Sequence, residues 1–298
     1  MNIIARSCSG WIAVFLTICL WTGFILVTRH GGTGLLTSWD IALLRFGVGG
    51  LIAVFFLPCV LLPSLKVITL FSLSGGIGYA IAVYAAFRLS PAAHGSVLLH
   101  GALPFLTAII AWLWLGHKPS KPRRVALLMV FAGIALTAAD SFSRDSPLTH
   151  TQIIGDLLFL CGSLMWAVFT VLLGRYPTTP LAATVATTLG SAAVYLPVWI
   201  IFLPSTLAYA PADEIMLQAV YQGVLTVFVA MLLYTFAVAR LGSQTVALVM
   251  AVVPVTSALA AVPVLGETLP LLTLAGLGAV TTGAILGARE SRKMLLAE

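Results

Sequence analysis

Two apolar runs, Leu98–His117 (LLHGALPFLTAIIAWLWLGH) and Leu248–Glu267 (LVMAVVPVTSALAAVPVLGE), repeat one pattern at an offset of 150 residues. Pro104 falls on Pro254, Ala108 on Ala258, Ala111 on Ala261, Leu115 on Leu265 and Gly116 on Gly266. The register continues outwards, with Tyr84 on Tyr234, Leu127 on Leu277, Gly133 on Gly283 and Leu136 on Leu286. Each run has membrane-spanning length and carries a proline inside it. A proline in a helix removes one backbone donor and frees the carbonyl four residues earlier, here that of His100 and of Met250. In lipid a freed carbonyl needs a protein or water partner, so a broken span belongs beside another helix or a cavity. Matched broken spans in two halves of a chain point to the binding site of a transporter.

Charge scarcity makes the membrane reading unavoidable. Only 8% of the 298 residues are charged and 60% are apolar, where a soluble domain carries roughly 25% charge. The net charge of +6 does not indicate nucleic acid, because the basic residues form no tract with interleaved aromatics and sit at span ends. Cys8, Cys19, Cys59 and Cys161 show no metal-ligand spacing and read as small apolar residues. No metal or cofactor motif is present. Arg6 precedes the first apolar run and no small-x-small site follows it, so that run reads as a retained span.

Cutting at charges, prolines and glycines gives ten segments, near 11–28, 40–62, 67–87, 92–116, 123–139, 153–174, 181–203, 214–238, 243–266 and 269–288, each close to the ~20 residues a bilayer requires. The expected fold is an all-α polytopic membrane protein of ten transmembrane helices in two halves, 1–145 and 146–298. With the N-terminus inside, the inner segments hold Arg6, Lys66, Lys118, Lys121, Arg123, Arg124, Arg175, Arg240, Arg289, Arg292 and Lys293, while the outer ones hold Arg29, Arg88 and Arg144. The positive-inside rule then places both termini in the cytoplasm of a plasma (inner) membrane protein. Five spans per half is odd, so the second half crosses the membrane inverted. The matched Leu-Gly junctions agree: HKPSKPRR follows one and ETLPLL the other. The first spans of the halves also match, Gly10 with Gly155 and Trp21 with Trp166.

Trp21, Leu44-Arg45-Phe46, Pro104…Leu115-Gly116 and Pro254…Leu265-Gly266-Glu267 resemble the drug/metabolite transporter superfamily, EamA type, over essentially the whole chain. His117 departs from the pattern, which usually has Glu there. The resemblance implies a cavity lined by spans 1–4 and 6–9, with spans 5 and 10 at the periphery.

Arg45 lies about five residues into span 2, where an intramembrane charge costs roughly 2.5–3.5 kcal/mol and must face the bundle or snorkel. Two readings stand: a fork for a substrate carboxylate, or a structural arginine held by carbonyls or headgroups. His100 shares a helical face with Pro104, Thr107, Ala111 and Trp114, and the equivalent face carries Met250, Pro254, Ser257, Ala261 and Val264. Histidine suits a proton switch, although a lone interior histidine is more often a packing residue. Trp21, Tyr79, Tyr84, Trp166, Tyr221, Gln222, Tyr234 and Gln244 are candidates for the wall of a substrate site, against core packing or an interfacial belt as the alternative. Trp21 and Trp166 rank first because the repeat places them equivalently, Tyr79 and Tyr234 are kept with them as site residues, and His94 is a weaker candidate. Pro104 and Pro254 are the expected hinges. Ala275, Ala279, Gly283 and Gly287 form a small stripe that permits close approach within the bundle or across a homodimer.

No acidic residue is expected mid-span, so neither a sodium cage nor a carboxylate proton carrier is legible. These features point to a secondary transporter, an exporter of a small neutral or zwitterionic metabolite such as an amino acid. A membrane-embedded enzyme would need motifs such as HExxH or GxSxG, which the chain lacks, and a structural membrane protein would not need matched broken spans.

Overall fold

The computed structural model describes residues 3–31, 35–90, 92–116, 118–144, 150–265 and 271–297, and these are helices joined by short turns. In chain order they are α1 (Ile3–Gly31), α2 (Ser38–Phe56), α3 (Leu65–Leu89), α4 (Ala92–Gly95, Ser96–Gly101 and Leu103–Leu115), α5 (Lys121–Arg144), α6 (His150–Arg175), α7 (Pro180–Phe202), α8 (Ala212–Leu241), α9 (Ser243–Met250 and Val253–Leu265) and α10 (Leu271–Ala297). Among the described residues, eight stretches are long and apolar enough to cross a membrane, those of α1 to α4 and α6 to α9; in α10 the apolar part is the shorter Leu274–Gly287. The protein is a multi-pass, all-helical membrane protein. Its junctions His117, Gly266 and Glu267 lie outside the described residues.

Its surface is inverted relative to that of a soluble domain. Leu51, Phe55, Ile200, Phe202 and Leu271 are exposed, while Thr17, Thr170, Thr187, Gln218 and Gln222 are buried to the last percent. Apolar side chains stay on the lipid side at no cost, and hydroxyls and amides are kept where protein can satisfy them.

The helices are irregular where a neighbour can take up the backbone. In α3 the run Ser72–Gly76 winds as a π turn, leaving the Ile77 N–H to donate to Ser191 Oγ at 3.1 Å, and that hydroxyl donates to the Thr187 carbonyl at 2.7 Å. A Cβ on Gly76 would overlap Ser191 Oγ, so glycine is what lets α7 come close enough to supply the bond. The run Ala219–Ala230 of α8 is likewise π-wound. Both prolines of the repeated runs fall at breaks: α4 is interrupted at Ala102 and α9 at Ala251 and Val252, with Pro104 and Pro254 each second in the piece that follows. Proline suits a first helical turn, whose N–H groups have no partner within the helix.

Packing between the helices follows a reciprocal pattern. α1 lies against Met231–Leu241 of α8 and Val253–Leu265 of α9; α6 lies against Ile77–Leu89 of α3 and Leu103–Leu115 of α4. α2 packs on α7 and on the π-wound part of α8, and α7 on that of α3. α5 and α10 form a flanking pair in tight contact, a Cβ on Gly133 falling 2.5 Å from the Gly276 carbonyl oxygen. Gly283 and Gly287 face inwards, towards the Ala126 carbonyl and the Leu248 side chain respectively. The glycines of the small stripe therefore serve packing within the chain.

One buried carboxylate fixes the start of α2. Thr37 and Asp40 form a capping box, and the Asp40 carboxylate also accepts from Ser205 Oγ at 2.6 Å and the Thr206 N–H at 3.0 Å. That ties the first turn of α2 to the loop after α7.

Candidate functional site

Five helices each bring one ring to the middle of the bundle. Trp21 comes from α1, Tyr79 from α3, His100 from α4, Trp166 from α6 and Tyr234 from α8. Trp21 stacks on Tyr234 at 5.2 Å between centroids, meets Trp166 edge to face at 5.3 Å and lies 5.4 Å from His100. Trp166 in turn lies 4.8 Å from Tyr79 and 5.4 Å from Tyr234. Such pairs are worth ~0.5–1.5 kcal/mol each beyond area burial, and the quadrupoles set their angles. The structure thus brings together Trp21, Tyr79, His100, Trp166 and Tyr234, with Arg45 at their margin, and leaves Tyr84, Tyr221 and His94 outside the cluster.

The rings enclose a small cavity lined by Trp21, Tyr79, Leu99, His100, Leu103 and Trp166, with a volume of about 10 Å³, the room that one water needs. Polar atoms around it are left open. His100 Nδ1 and Trp166 Nε1 have no hydrogen-bond partner, and Ser163 Oγ, one turn before Trp166 on α6, also lacks one. An unsatisfied buried polar group costs ~1–3 kcal/mol, so one on α4 and two on adjacent turns of α6 need a reason beyond packing. The Tyr234 hydroxyl is engaged, sharing a hydrogen bond with Thr170.

Arg45 is buried, with 2% of its surface exposed, and faces the bundle, as one of the two positions open to it required. Its guanidinium acts on the phenols of Tyr79 and Tyr84, its Nε has no hydrogen-bond partner, and among the described residues no carboxylate pairs with it. Beyond Tyr84 runs an uncharged chain. Tyr84 donates to Gln222 Oε1 at 3.0 Å, Gln222 Nε2 donates to Thr28 Oγ1 and to Gln218 Oε1, and Gln218 Nε2 donates to the Val27 carbonyl. Tyr221 donates to the Leu20 carbonyl, which makes it a bracket for α1, and Gln244 is half-buried at the start of α9.

The expected His100 face holds for only part of its length. His100, Pro104, Thr107 and Ala111 are buried, but Trp114 is half exposed, as is Val264 at the equivalent place. Beyond each break these end residues turn to the lipid side. The outer face of the same α4 break opens on a groove of about 710 Å³, lined wholly by apolar residues including Val97, Leu98, Gly101, Phe131 and Leu157.

Asp156, in the second turn of α6 and so not mid-span, was not among the candidates that the sequence offered. His94 Nδ1 lies 3.0 Å from its carboxylate. Asp40, placed at a span margin, is fully buried. The signal for both was a carboxylate next to an apolar run, visible in the sequence but carrying no information about its tertiary partner.

The comparisons agree with this architecture. A solved crystal structure superposes on 95% of this chain and 98% of its own at a TM-score of 0.77 with 21% identity, a likeness of fold. The protein named "Uncharacterized transporter YvbV" of Bacillus subtilis (strain 168) is 35% identical over 68 residues, 23% of this chain and 21% of that protein; the match thus spans about a fifth of its length. The profile of the EamA-like transporter family matches residues 9–139 and 153–288. With nearly the whole chain matched and its helices packed around a ring-walled centre, this protein belongs to the EamA-like transporter family, within the drug/metabolite transporter superfamily.

Proposed function

We propose that the chain is a secondary transporter, an exporter of a small neutral or zwitterionic metabolite such as an amino acid. It works by alternating access of two inverted five-helix halves, 1–145 and 146–298. The observation that carries the reading is the convergence of Trp21, Tyr79, His100 and Trp166 on one cavity, with Tyr234 stacked on Trp21 and with Arg45, close to Tyr79 and Tyr84 and without a carboxylate partner among the described residues, at the margin. Aromatic walls hold an apolar side chain, the open His100 and Trp166 nitrogens bind polar atoms, and Arg45 meets a carboxylate. The reciprocal packing of α1 on α8 and α6 on α3 supports the repeat, as do the two family matches. The paired breaks at Ala102 and at Ala251–Val252 supply the discontinuous helices that such a cycle uses.

Orientation follows the basic residues: both termini in the cytoplasm of the plasma (inner) membrane, α5 and α10 as the fifth and tenth crossings. An enzyme at this site would need an activated nucleophile or a pair of catalytic carboxylates. The ring-walled cavity is lined by neither.

Two measurements test the reading. A panel of amino acids, their amides and related metabolites is screened by thermal shift, since a ligand that binds the native state raises its apparent stability; each hit is then followed as labelled substrate in proteoliposomes. A hit that binds without crossing the bilayer counts against transport. Single cysteines at Ser120 and Thr268 of a cysteine-free variant test the inversion: they should label from opposite faces, and labelling from one face removes it.

A further inference from the structure

A second polar cluster lies at the end of the bundle where α3 stops and α4 and α6 begin. His94 Nδ1 stands 3.0 and 3.1 Å from the two carboxylate oxygens of Asp156. Ser90 Oγ donates to the same carboxylate and lies 3.3 Å from the same ring nitrogen. Three helices meet in three side chains: Ser90 closes α3, His94 opens α4 and Asp156 belongs to α6. The His94 side chain is wholly buried, whereas 18% of the Asp156 side chain is exposed, so solvent reaches the pair through the carboxylate.

The cluster is tightly enclosed. A Cβ on Gly155 would stand 2.6 Å from Ser90 Cβ, and one on Gly95 would stand 2.7 Å from the Phe159 ring. Phe159 meets Phe87 edge to face at 4.8 Å, one turn further into the bundle on α6 and α3. These rings separate the cluster from the central cavity. Ser90 and Asp156 both address Nδ1, so the imidazole cannot take a proton from Ser90 on one nitrogen while Asp156 orients the other; a nucleophilic serine is ruled out by that geometry.

What an imidazole and a carboxylate in contact do well is hold a proton and exchange it between about pH 5 and pH 8. With the proton on the imidazole the pair is an ion pair, and Coulomb attraction makes it harder to separate than the neutral imidazole and carboxylate. The two helices that would separate, α4 and α6, carry His100 and Trp166 of the central cavity. We propose that Ser90, His94 and Asp156 form a proton-binding site whose occupancy is tied to the separation of α4 from α6 at this end of the bundle. Loading adds one proton from solvent to the imidazole, giving an imidazolium–carboxylate pair without net charge; opening hydrates both groups and returns that proton to solvent.

Among the described residues, other charged groups at this end are few. On α3, Arg88 is exposed; on α6, Gln152 one turn before Asp156 is neutral and buried. On α5, which packs on the first piece of α4, the titratable positions at that end are Asp140 and Arg144, whose side chains lie outside the described residues.

The test uses full-length, cysteine-free protein in detergent, with one cysteine at Leu99, which lines the central cavity and is buried. A water-soluble methanethiosulfonate reports its reactivity, divided by that of a cysteine at exposed Ser64 so that thiol ionisation cancels. The ratio should rise about threefold or more from about pH 5 to about pH 8. The rise should vanish in His94→Gln and in Asp156→Asn. A flat ratio in the parent, or an undiminished rise in either variant, overturns the proposal. Should neither variant purify as monodisperse protein, the parental ratio decides alone. No transported metabolite enters the measurement, so the proton site can fail while the transport reading stands, and the reverse.

Discussion

Trp21 and Trp166 meet edge to face with their centroids 5.3 Å apart, although they belong to different halves of the chain. Trp166 also contacts Tyr79, Phe169 and Tyr234, which makes it the best-connected ring of the site. Trp166→Ala should lower stability by roughly 3–5 kcal/mol, the usual cost of emptying a large core position. Trp166→Phe keeps most of the ring but removes the open Nε1. It should fold nearly as well and weaken the metabolite found by thermal shift by about 0.5–1.5 kcal/mol. Calorimetry on both variants checks this; unchanged affinity in Trp166→Phe takes the indole nitrogen out of the site.

Pro104 and Pro254 each occupy the second position after a helix break. Restoring a backbone donor there favours closure of the gap at Ala102 or at Ala251–Val252. Pro104→Ala and Pro254→Ala should therefore slow counterflow exchange in proteoliposomes far more than they weaken binding. Parental exchange rates in both variants would place the hinges elsewhere.

Arg45 has no carboxylate partner among the described residues and an open Nε. Arg45→Lys preserves the charge and loses the planar fork, and should weaken a carboxylate substrate by roughly 1–3 kcal/mol. Arg45→Gln should cost more, severely for a free acid and mildly for its amide. The deciding quantity is the acid-to-amide affinity ratio in folded Arg45→Gln protein. If that ratio stays parental, the arginine is structural.

The Asp40 carboxylate accepts hydrogen bonds from Thr37, Ser205 and Thr206 while fully buried. Asp40→Ala strands all of these donors and should destabilise the protein by about 3 kcal/mol or more. Asp40→Asn keeps two polar atoms and should cost less. Thermal unfolding ranks the two, and transport per folded molecule should be unaltered, because Asp40 bonds to the loop after α7 and contributes no ring to the site. Equal losses in both variants would mean that the carboxylate charge, and not the hydrogen bonds, holds the loop.

The sequence carried the ring cluster because of symmetry. Trp21 and Trp166 stood at equivalent places and meet at the centre, whereas of the equivalent pair Tyr84 and Tyr234 only Tyr234 joins the rings, Tyr84 bonding Gln222 instead. Breaks were legible for a similar reason, since Pro104 and Pro254 are chemical marks that a bilayer forces a fold to accommodate. The His94–Asp156 pair left no comparable mark. Its members are 62 positions apart, and helical periodicity speaks only of neighbours on one helix. Trp114 shows the same limit from the other side: it shares an unbroken helix with Pro104, Thr107 and Ala111, but stands in its last turn, and periodicity alone does not say where along a helix the neighbours stop covering a face.

The cavity among the rings has room for about one water, so no amino acid fits the closed form. On the proposed cycle a metabolite binds molecules whose rings have parted, and its measured affinity is then its intrinsic affinity reduced by the fraction of molecules in that parted state. Substitutions that loosen the ring packing without removing a contact to the metabolite should raise apparent affinity. Ranking ligands by affinity alone would thus confound how well a molecule fits with how often the protein has made space for it.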